Sequence, residues 1–347
     1  MITPEAYDYS LPENLVAHEP ASPRDAARLF VYDTATDEVV LDTFRNIGVH
    51  LPARTFLVLN KTKVVPARLD LKKPTGGKVV ALFLTNEHSA KNTVRALFDR
   101  GAKLGEGLAL APGKFAEVVA QEKNIFTLRL PFGRGALIKL LERRGTMPIP
   151  PYLRGTTLSS LKLRREYQTV FAKKTGSAAA PTASLHFTEH VFADLRQRGI
   201  GKEFITLHVG LGTFAPVTPE QIKEGRLHEE WFEISKAAAA DIALRKKNGE
   251  RLVAVGTTVV RTLESAVRER GFYSGLGTTD MFIQPSYRFR AVDALLTNFH
   301  VPKSSLMMLV DAFLVHKHSK RRILDLYKIA IREKFRFFSF GDAMLIK

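Results

Sequence analysis

The side chains best placed for chemistry fall in a few short stretches. In Ile205-Thr206-Leu207-His208-Val209-Gly210-Leu211-Gly212-Thr213 apolar and polar residues alternate, so Ile205, Leu207, Val209 and Leu211 share one face of a strand and Thr206, His208, Gly210 and Gly212 the other. Glycines at a strand end admit close backbone approach, and open α/β sheets bind ligands at the carboxyl ends of their strands. The stretch reads either as the floor of a crevice or as a strand bending through two glycines with His208 hydrogen-bonded in a core. Arg251–Val255 leads into Gly256-Thr257-Thr258 and then a helix running to Arg270, with Gly271 at its end. Free N–H groups and the helix dipole favour an anion at such a turn, and two threonine hydroxyls add donors for phosphate, carboxylate or ribose oxygens; simple capping is the alternative.

Other constellations are weaker. His186 and His190 have a metal-ligand spacing, but Thr188 reads as a helix N-cap, which leaves His186 off the helix face, so no metal site is expected. Glu229 and Glu230 beside His228 offer acid and base groups, and on an extended strand only one of the two glutamates faces a given site. Gly107 to Lys114 is no phosphate loop, because five residues separate its glycines and Phe115 stands where Ser or Thr is needed. With no cysteine, thiolate zinc sites, iron–sulfur clusters and a cysteine nucleophile are excluded.

The elements that must position these residues divide into two kinds. Residues 54–60 read as a buried strand. From about Pro66 to Leu130 short β runs (Val79–Leu84, Thr93–Phe98, Gly107–Leu110, Ala116–Ala120, Ile125–Leu130) are split by turn residues, which predicts a small barrel or sandwich. The stiff Pro148-Ile149-Pro150-Pro151-Tyr152 stretch suits a domain crossing near 150. Beyond about 160 strands and helices alternate: a helix after Thr188, strand Phe204–Val209, a helix over 236–247, strand Arg251–Val255 and the helix from Thr258. Gly176–Ser184, rich in Ala and Ser, reads as a loop, and Trp231 with Phe335, Phe337, Phe338 and Phe340 reads as core packing, with the stacking of bases as the alternative.

The 347 residues carry a formal charge of +17 with 45% apolar side chains, a balance that fits a globular protein with a nucleic-acid partner. Ten Lys or Arg lie between 134 and 174 against Glu142 and Glu166, among them Arg143, Arg144, Arg154, Arg164, Arg165, Lys173 and Lys174, a strip suited to phosphates. A second cluster, Lys317, Lys320, Arg321 and Arg322, precedes an amphipathic helix and reads equally as a solvated face. Met1-Ile2-Thr3-Pro4-Glu5 opens no leader and no long apolar run follows, so the expectation is a soluble, cytoplasmic protein without a membrane partner.

In order along the chain, these stretches resemble the S-adenosylmethionine:tRNA ribosyltransferase-isomerase family of queuosine biosynthesis. The resemblance runs from Tyr9-Ser10-Leu11-Pro12 to Phe337–Met344 and is carried by Val64-Val65-Pro66-Ala67-Arg68, Thr75-Gly76-Gly77-Lys78, Pro150-Pro151-Tyr152, Ala180–Thr188, Leu207–Phe214, Val255–Thr258 with Arg261–Ser265, and Asp293–His300. It implies an α/β fold, with a discontinuous main domain (1–65 and 150–347) interrupted by an all-β barrel domain (66–149). It further implies transfer and isomerisation of the ribosyl moiety of S-adenosylmethionine, the donor substrate, onto 7-aminomethyl-7-deazaguanine at the tRNA wobble position, giving epoxyqueuosine, adenine and methionine. No metal and no obligate protein partner is implied.

That reaction needs a base at the ribose carbon next to the sulfonium and donors for the leaving adenine. His208, His228, Glu230 and His300 are the acid–base candidates. Thr182, His186, Gly210, Gly212, Thr213, Gly256, Thr257, Thr258, Arg261 and Asn298 are the candidates for substrate binding, with Ala180–His186 closing over the adenosyl group. The sequence departs from the family pattern at Gly225, where a histidine is usual, at Ala215 (arginine), Ser184 and Ser286 (glycines) and Gln284 (tyrosine). These departures keep two alternatives open: a tRNA-binding relative with altered catalysis, and another S-adenosylmethionine-dependent RNA transferase.

Overall fold

The strand Thr55–Asn60 is buried at every position and lies inside a nine-stranded sheet. Across that sheet the order is Gly275–Met281, Arg226–Ile234, Gly201–His208, Thr55–Asn60, Arg251–Val255, Ala294–Asn298, Ala343–Ile346, Arg28–Asp33 and Glu38–Thr43. This computed structural model describes residues 3–87, 92–210 and 217–347. Thr55–Asn60 is parallel to both its neighbours, and Arg251–Val255 is parallel to Ala294–Asn298, so four carboxyl ends meet at one edge.

Alternation along these strands feeds two cores. Phe56, Val58, Leu252, Ala254 and Leu295 pack with helices Lys236–Lys247, Thr257–Ala266, Ser305–His316 and Ile323–Arg332. Leu57, Leu59, Val253, Val255 and Leu296 pack on the other face with helix Glu189–Gln197, whose N-cap is Thr188, its Oγ1 accepting from Val191 N. The crossover from Asn60 to Gly201 uses the helix on one face, while that from His208 to Arg251 uses Lys236–Lys247 on the other. Chain direction therefore diverges at Thr55–Asn60, where an α/β sheet opens a crevice.

Between Val64 and Met147 the chain leaves this sheet to form a closed six-stranded barrel, in the order Ile125–Arg129, Thr93–Phe98, Lys78–Phe83, Arg68–Lys72, Gly107–Ala111 and Lys114–Glu122. Strands Thr93–Phe98, Gly107–Ala111 and Ile125–Arg129 bury every second residue, and Leu137 and Leu141 of helix Arg134–Arg144 pack into the barrel core. The entering and leaving chains run side by side: Arg68 and Thr146 exchange backbone hydrogen bonds of 3.2 and 2.7 Å, and a Cβ on Gly145 would lie 1.8 Å from the Pro66 carbonyl oxygen. The fold is thus α/β with an inserted β-barrel.

Several local expectations are revised. The helix after Gly256 stops at Ala266, because the chain turns through Gly271 (φ 99°) into a small hairpin, Val267–Arg268 with Gly271–Phe272. Gly176–Ser184 is packed rather than loose: Lys174–Ser177 forms a parallel ladder with Thr62–Val64, and Ala178, Ala179, Ala180 and Ala183 are buried. The phenylalanines near the carboxyl terminus are buried as expected, whereas Trp231 is 41% exposed. In the second basic cluster Arg321 pairs with Asp37 and Arg322 with Asp311, and Lys317 Nζ donates to the Asp293 carbonyl, so internal contacts occupy most of it.

Candidate active site

Asn60, at the carboxyl end of the central strand, is fully buried and connects the neighbouring strand ends. Its Oδ1 accepts from Thr62 N (3.1 Å) and Leu207 N (3.0 Å), and its Nδ2 donates to Leu207 O (3.0 Å) and Thr258 Oγ1 (3.4 Å). Thr62 Oγ1 in turn lies 2.8 Å from His208 Nδ1. A continuous polar path thus runs from the Gly256–Thr258 turn through Asn60 and Thr62 to His208. Asn60 and Thr62 escape the sequence reading; the available signal is an Asn closing the all-apolar run Phe56-Leu57-Val58-Leu59 at a carboxyl end.

His208 is held tightly. A Cβ on Gly176 would come within 2.9 Å of its Nε2, so the ring rests on bare backbone there. Burial, followed by the Arg134 guanidinium and offset in part by Glu233, lowers its pKa to about 4, which leaves the imidazole neutral at neutral pH. The barrel reaches the same place: Thr85 Oγ1 donates to the Gly176 carbonyl (3.3 Å), and Arg134 Nε donates to Thr85 O (2.8 Å).

Gly256 has φ 94°, a conformation that favours glycine, and begins helix Thr257–Ala266 beside Ala183. From that helix Arg261 reaches Glu230, both buried, to form an ion pair; Arg261 Nε also donates to Met281 O (3.1 Å), and Glu230 Oε1 accepts from Gly210 N (3.0 Å). Glu230 faces inward, while a register shift between Arg226 and Glu230 turns His228 and Glu229 outward to solvent. Of the two glutamates, only Glu230 touches the group around Arg261.

The remaining candidates divide between the faces of the sheet. Thr182 Oγ1 donates to Asn298 Oδ1 (2.8 Å), and Asn298 Nδ2 lies 3.4 Å from His186 Nε2. Burial, reinforced by Arg336 and Arg24, lowers the His186 pKa to about 3. His300 sits apart from this cluster, beside Thr297 (3.2 Å) and Tyr327, with its pKa lowered to about 3 by burial alone. Tyr9, Phe299, Tyr327 and Phe337 form an aromatic cluster around it. Gly212, Thr213 and Ala215 lie outside the described residues. His190 is exposed near Asp25 and does not meet His186, and among the described residues no group of three acidic or histidine side chains is placed to hold a metal.

Of the basic strip, Arg143, Arg144, Arg154, Arg165, Lys173 and Lys174 are exposed. Arg144 donates to Leu110 O (3.1 Å), Arg165 pairs with Glu166 (3.0 Å) and Lys174 with Glu233 (3.1 Å). Arg164 is half-buried and donates to the carbonyls of Glu142 and Gly145, where it closes the end of helix Arg134–Arg144. The departures are dispersed: Gly225 (φ 67°) is the left-handed C-cap of helix Pro219–Glu224, Ser286 is exposed, and Ser184 is fully buried with its hydroxyl unbonded among the described residues. A cavity of about 700 Å³ lies at the opposite, amino ends of the strands, around Thr55, Ile200 and Glu250. Its arginines are engaged, Arg245 with Asp241 and Glu250 and Arg198 with Asp194, and it is not the candidate site.

A polar network at the carboxyl ends of four parallel strands, with a β-barrel inserted beside it, defines an α/β protein whose candidate site lies at those strand ends. A family model described as queuosine biosynthesis protein matches residues 4–346. A protein of Caldanaerobacter subterraneus subsp. tengcongensis named S-adenosylmethionine:tRNA ribosyltransferase-isomerase is 44% identical over 341 residues, covering 97% of this chain and 98% of its own. One of the same name from Carboxydothermus hydrogenoformans is 43% identical, covering 98% of each. The crystal structure of S-adenosylmethionine tRNA ribosyltransferase from Thermotoga maritima superposes with a TM-score of 0.55 at 32% identity, covering 98% of this chain and 99% of that one. The chain belongs to the queuosine biosynthesis protein family and is an enzyme, a transferase and isomerase.

Proposed function

We propose that this enzyme transfers and isomerises the ribosyl portion of S-adenosylmethionine onto 7-aminomethyl-7-deazaguanine at the wobble position of tRNA, releasing adenine and methionine and leaving epoxyqueuosine. The observation that carries the reading is the path from the Gly256–Thr258 turn through Asn60 and Thr62 to His208, on a chain similar over nearly its whole length to relatives named for this activity. Sulfonium acidifies the adjacent ribose carbon, so a neutral, positioned imidazole is a suitable proton acceptor, and His208 is the one residue of the four acid–base candidates bonded into that path. The turn supplies N–H and hydroxyl donors for ribosyl oxygens, with Arg261 and Glu230 fixing the helix against Gly210. Thr182, His186 and Asn298 form a second polar group for the adenosyl portion. The exposed part of the basic strip takes the tRNA backbone, and the +17 charge favours such a partner. Among the described residues no helix is long and apolar enough to cross a membrane, and a cytoplasmic location is part of this reading.

The unusual Gly225 favours a second reading, a tRNA binder without turnover. Adenine release from S-adenosylmethionine, measured with tRNA carrying 7-aminomethyl-7-deazaguanine and with the same tRNA carrying guanine, separates the two. Release with the modified tRNA alone supports ribosyl transfer; tRNA binding without release supports the second reading, and S-adenosylhomocysteine formation would replace both with a methyl transfer.

A further inference from the structure

A second cavity, of about 270 Å³, opens where the barrel meets the large sheet, and its lining is Glu87 and Arg95 from the barrel side with His228, Glu229 and Trp231 from the strand Arg226–Ile234. Trp231 is the only tryptophan of the chain and is 41% exposed, although a ring of that size ordinarily contributes its area to a core. Its place in the sheet ties the cavity to the site described above, because Trp231 is the antiparallel partner of His208, and directly opposed residues project on the same face within about 5.5 Å of one another. The barrel wall is tied to it as well: Glu87 ends the turn Thr85–Glu87, whose Thr85 hydroxyl is bonded to the Gly176 carbonyl beneath the His208 ring.

The charge of the cavity runs against that of the protein. In a chain of net charge +17, two carboxylates face one guanidinium, Arg95, which lies 3.2 Å from Glu87. Burial raises the Glu87 carboxyl above its usual range against the pull of Arg95, with a smaller push in the same direction from the Glu229 carboxylate, which lines the same cavity. An exposed indole beside surplus carboxylate suits a ligand that is flat, aromatic and rich in N–H donors or cationic, and does not suit a phosphate.

We infer that this cavity receives the acceptor base, flipped out of the anticodon, with its ring stacked on Trp231 and its cationic aminomethyl substituent held by Glu229 and Glu87. The inference rests on the ribosyl-transfer reading and deepens it. The flipped base is set beside His208, while the phosphates on either side remain over the basic strip. Stacking on an aromatic ring is tolerant of base identity, so discrimination in favour of the amine falls to the carboxylates.

Because Trp231 is the sole tryptophan, its emission reports on this cavity directly. The test titrates the full-length protein with a fluorescein-labelled anticodon stem-loop carrying 7-aminomethyl-7-deazaguanine, or guanine, and follows RNA anisotropy and Trp231 emission together, with adenine release assayed in the same samples. The modified RNA should change Trp231 emission in step with binding. Glu229→Gln and Glu87→Gln should each weaken the modified RNA by about tenfold and leave the guanine RNA unchanged, as expected for loss of a charge-assisted contact. Trp231→Phe should keep most of the affinity that Trp231→Ala loses. Binding with unchanged Trp231 emission, or equal weakening of both RNAs by the glutamine variants, overturns the inference. Adenine release with unchanged emission sinks the cavity and leaves the reaction standing; quenching without adenine release sinks the reaction and leaves the cavity as a base-binding site.

Discussion

Glu230 and Arg261 are joined in a buried ion pair that ties the strand Arg226–Ile234 to the helix following the Gly256–Thr258 turn, and the second carboxylate oxygen of Glu230 holds the backbone N–H of Gly210 at 3.0 Å. Removing one member of such a pair leaves the other buried and uncompensated, which costs about 3–5 kcal/mol, whereas replacing both by apolar side chains is far less damaging. Glu230→Gln should therefore lower the urea midpoint substantially, and the double variant Glu230→Leu with Arg261→Met should recover much of the loss. Equal losses in the single and double variants would show that the two residues act independently.

Asn60 makes four hydrogen bonds from a fully buried position. Asn60→Ala abandons all of them, and each buried donor or acceptor left unmade costs roughly 1–3 kcal/mol. Asn60→Ala should thus be at least as destabilising as Glu230→Gln. It should also loosen Thr62 and with it His208, so that kcat falls more than KM rises. A stable Asn60→Ala enzyme with unchanged kcat would remove the polar path from the mechanism.

The reach and the limit of the sequence follow from what each element depends on. Thr188 is legible as a cap and Arg251–Val255 as a strand because both signals are local. Glu230 and Arg261 are each recognisable as candidates, yet their pairing, across 31 positions, is set by how the strand Arg226–Ile234 packs on a helix and has no local signal. Asn60 is hidden for the same reason, since apart from Thr62 its partners lie 147 and 198 positions away. Trp231 follows the regular alternation of Glu230–Ile234, but that its face meets solvent and not a core is set by what packs beside the strand, and no residue type announces it. Gly176–Ser184 has the composition of a loop and is packed only because the strand Thr62–Val64 lies beside it.

The buried histidines make stability pH-dependent. In the unfolded chain each titrates near its ordinary value of 6.5, whereas in the folded protein His208 is lowered to about 4 and His186 and His300 to about 3. Between those values the unfolded state binds protons that the folded state does not, so stability falls as the pH drops below about 6.5, by up to about 1.4 kcal/mol per pH unit for each histidine. The loss ends near pH 4 for His208 and near pH 3 for the other two. Urea midpoints measured from pH 7.5 to 4.5 should decline, and the slope should be smaller in His300→Gln. An identical slope in that variant would mean that His300 is open to protonation in the folded state.

The basic strip should divide by exposure. Arg143, Arg154 and Lys173 are exposed and free to meet phosphates, while Arg164 is occupied by the carbonyls of Glu142 and Gly145. Each phosphate contact made by a cation releases bound counterions, so losing one reduces the slope of log affinity against log salt by about 1. Replacing Arg143, Arg154 or Lys173 by Ala should weaken tRNA binding at low salt, flatten that slope and leave the urea midpoint unchanged. Arg164→Ala should do the reverse, lowering the midpoint while the salt slope stays as in the parent, because its guanidinium closes a helix instead of facing solvent. Filter binding at several salt concentrations with urea denaturation of the same four variants decides the matter: a flattened slope in Arg164→Ala alone would transfer the phosphate contact to the residue that the packing assigns to the fold.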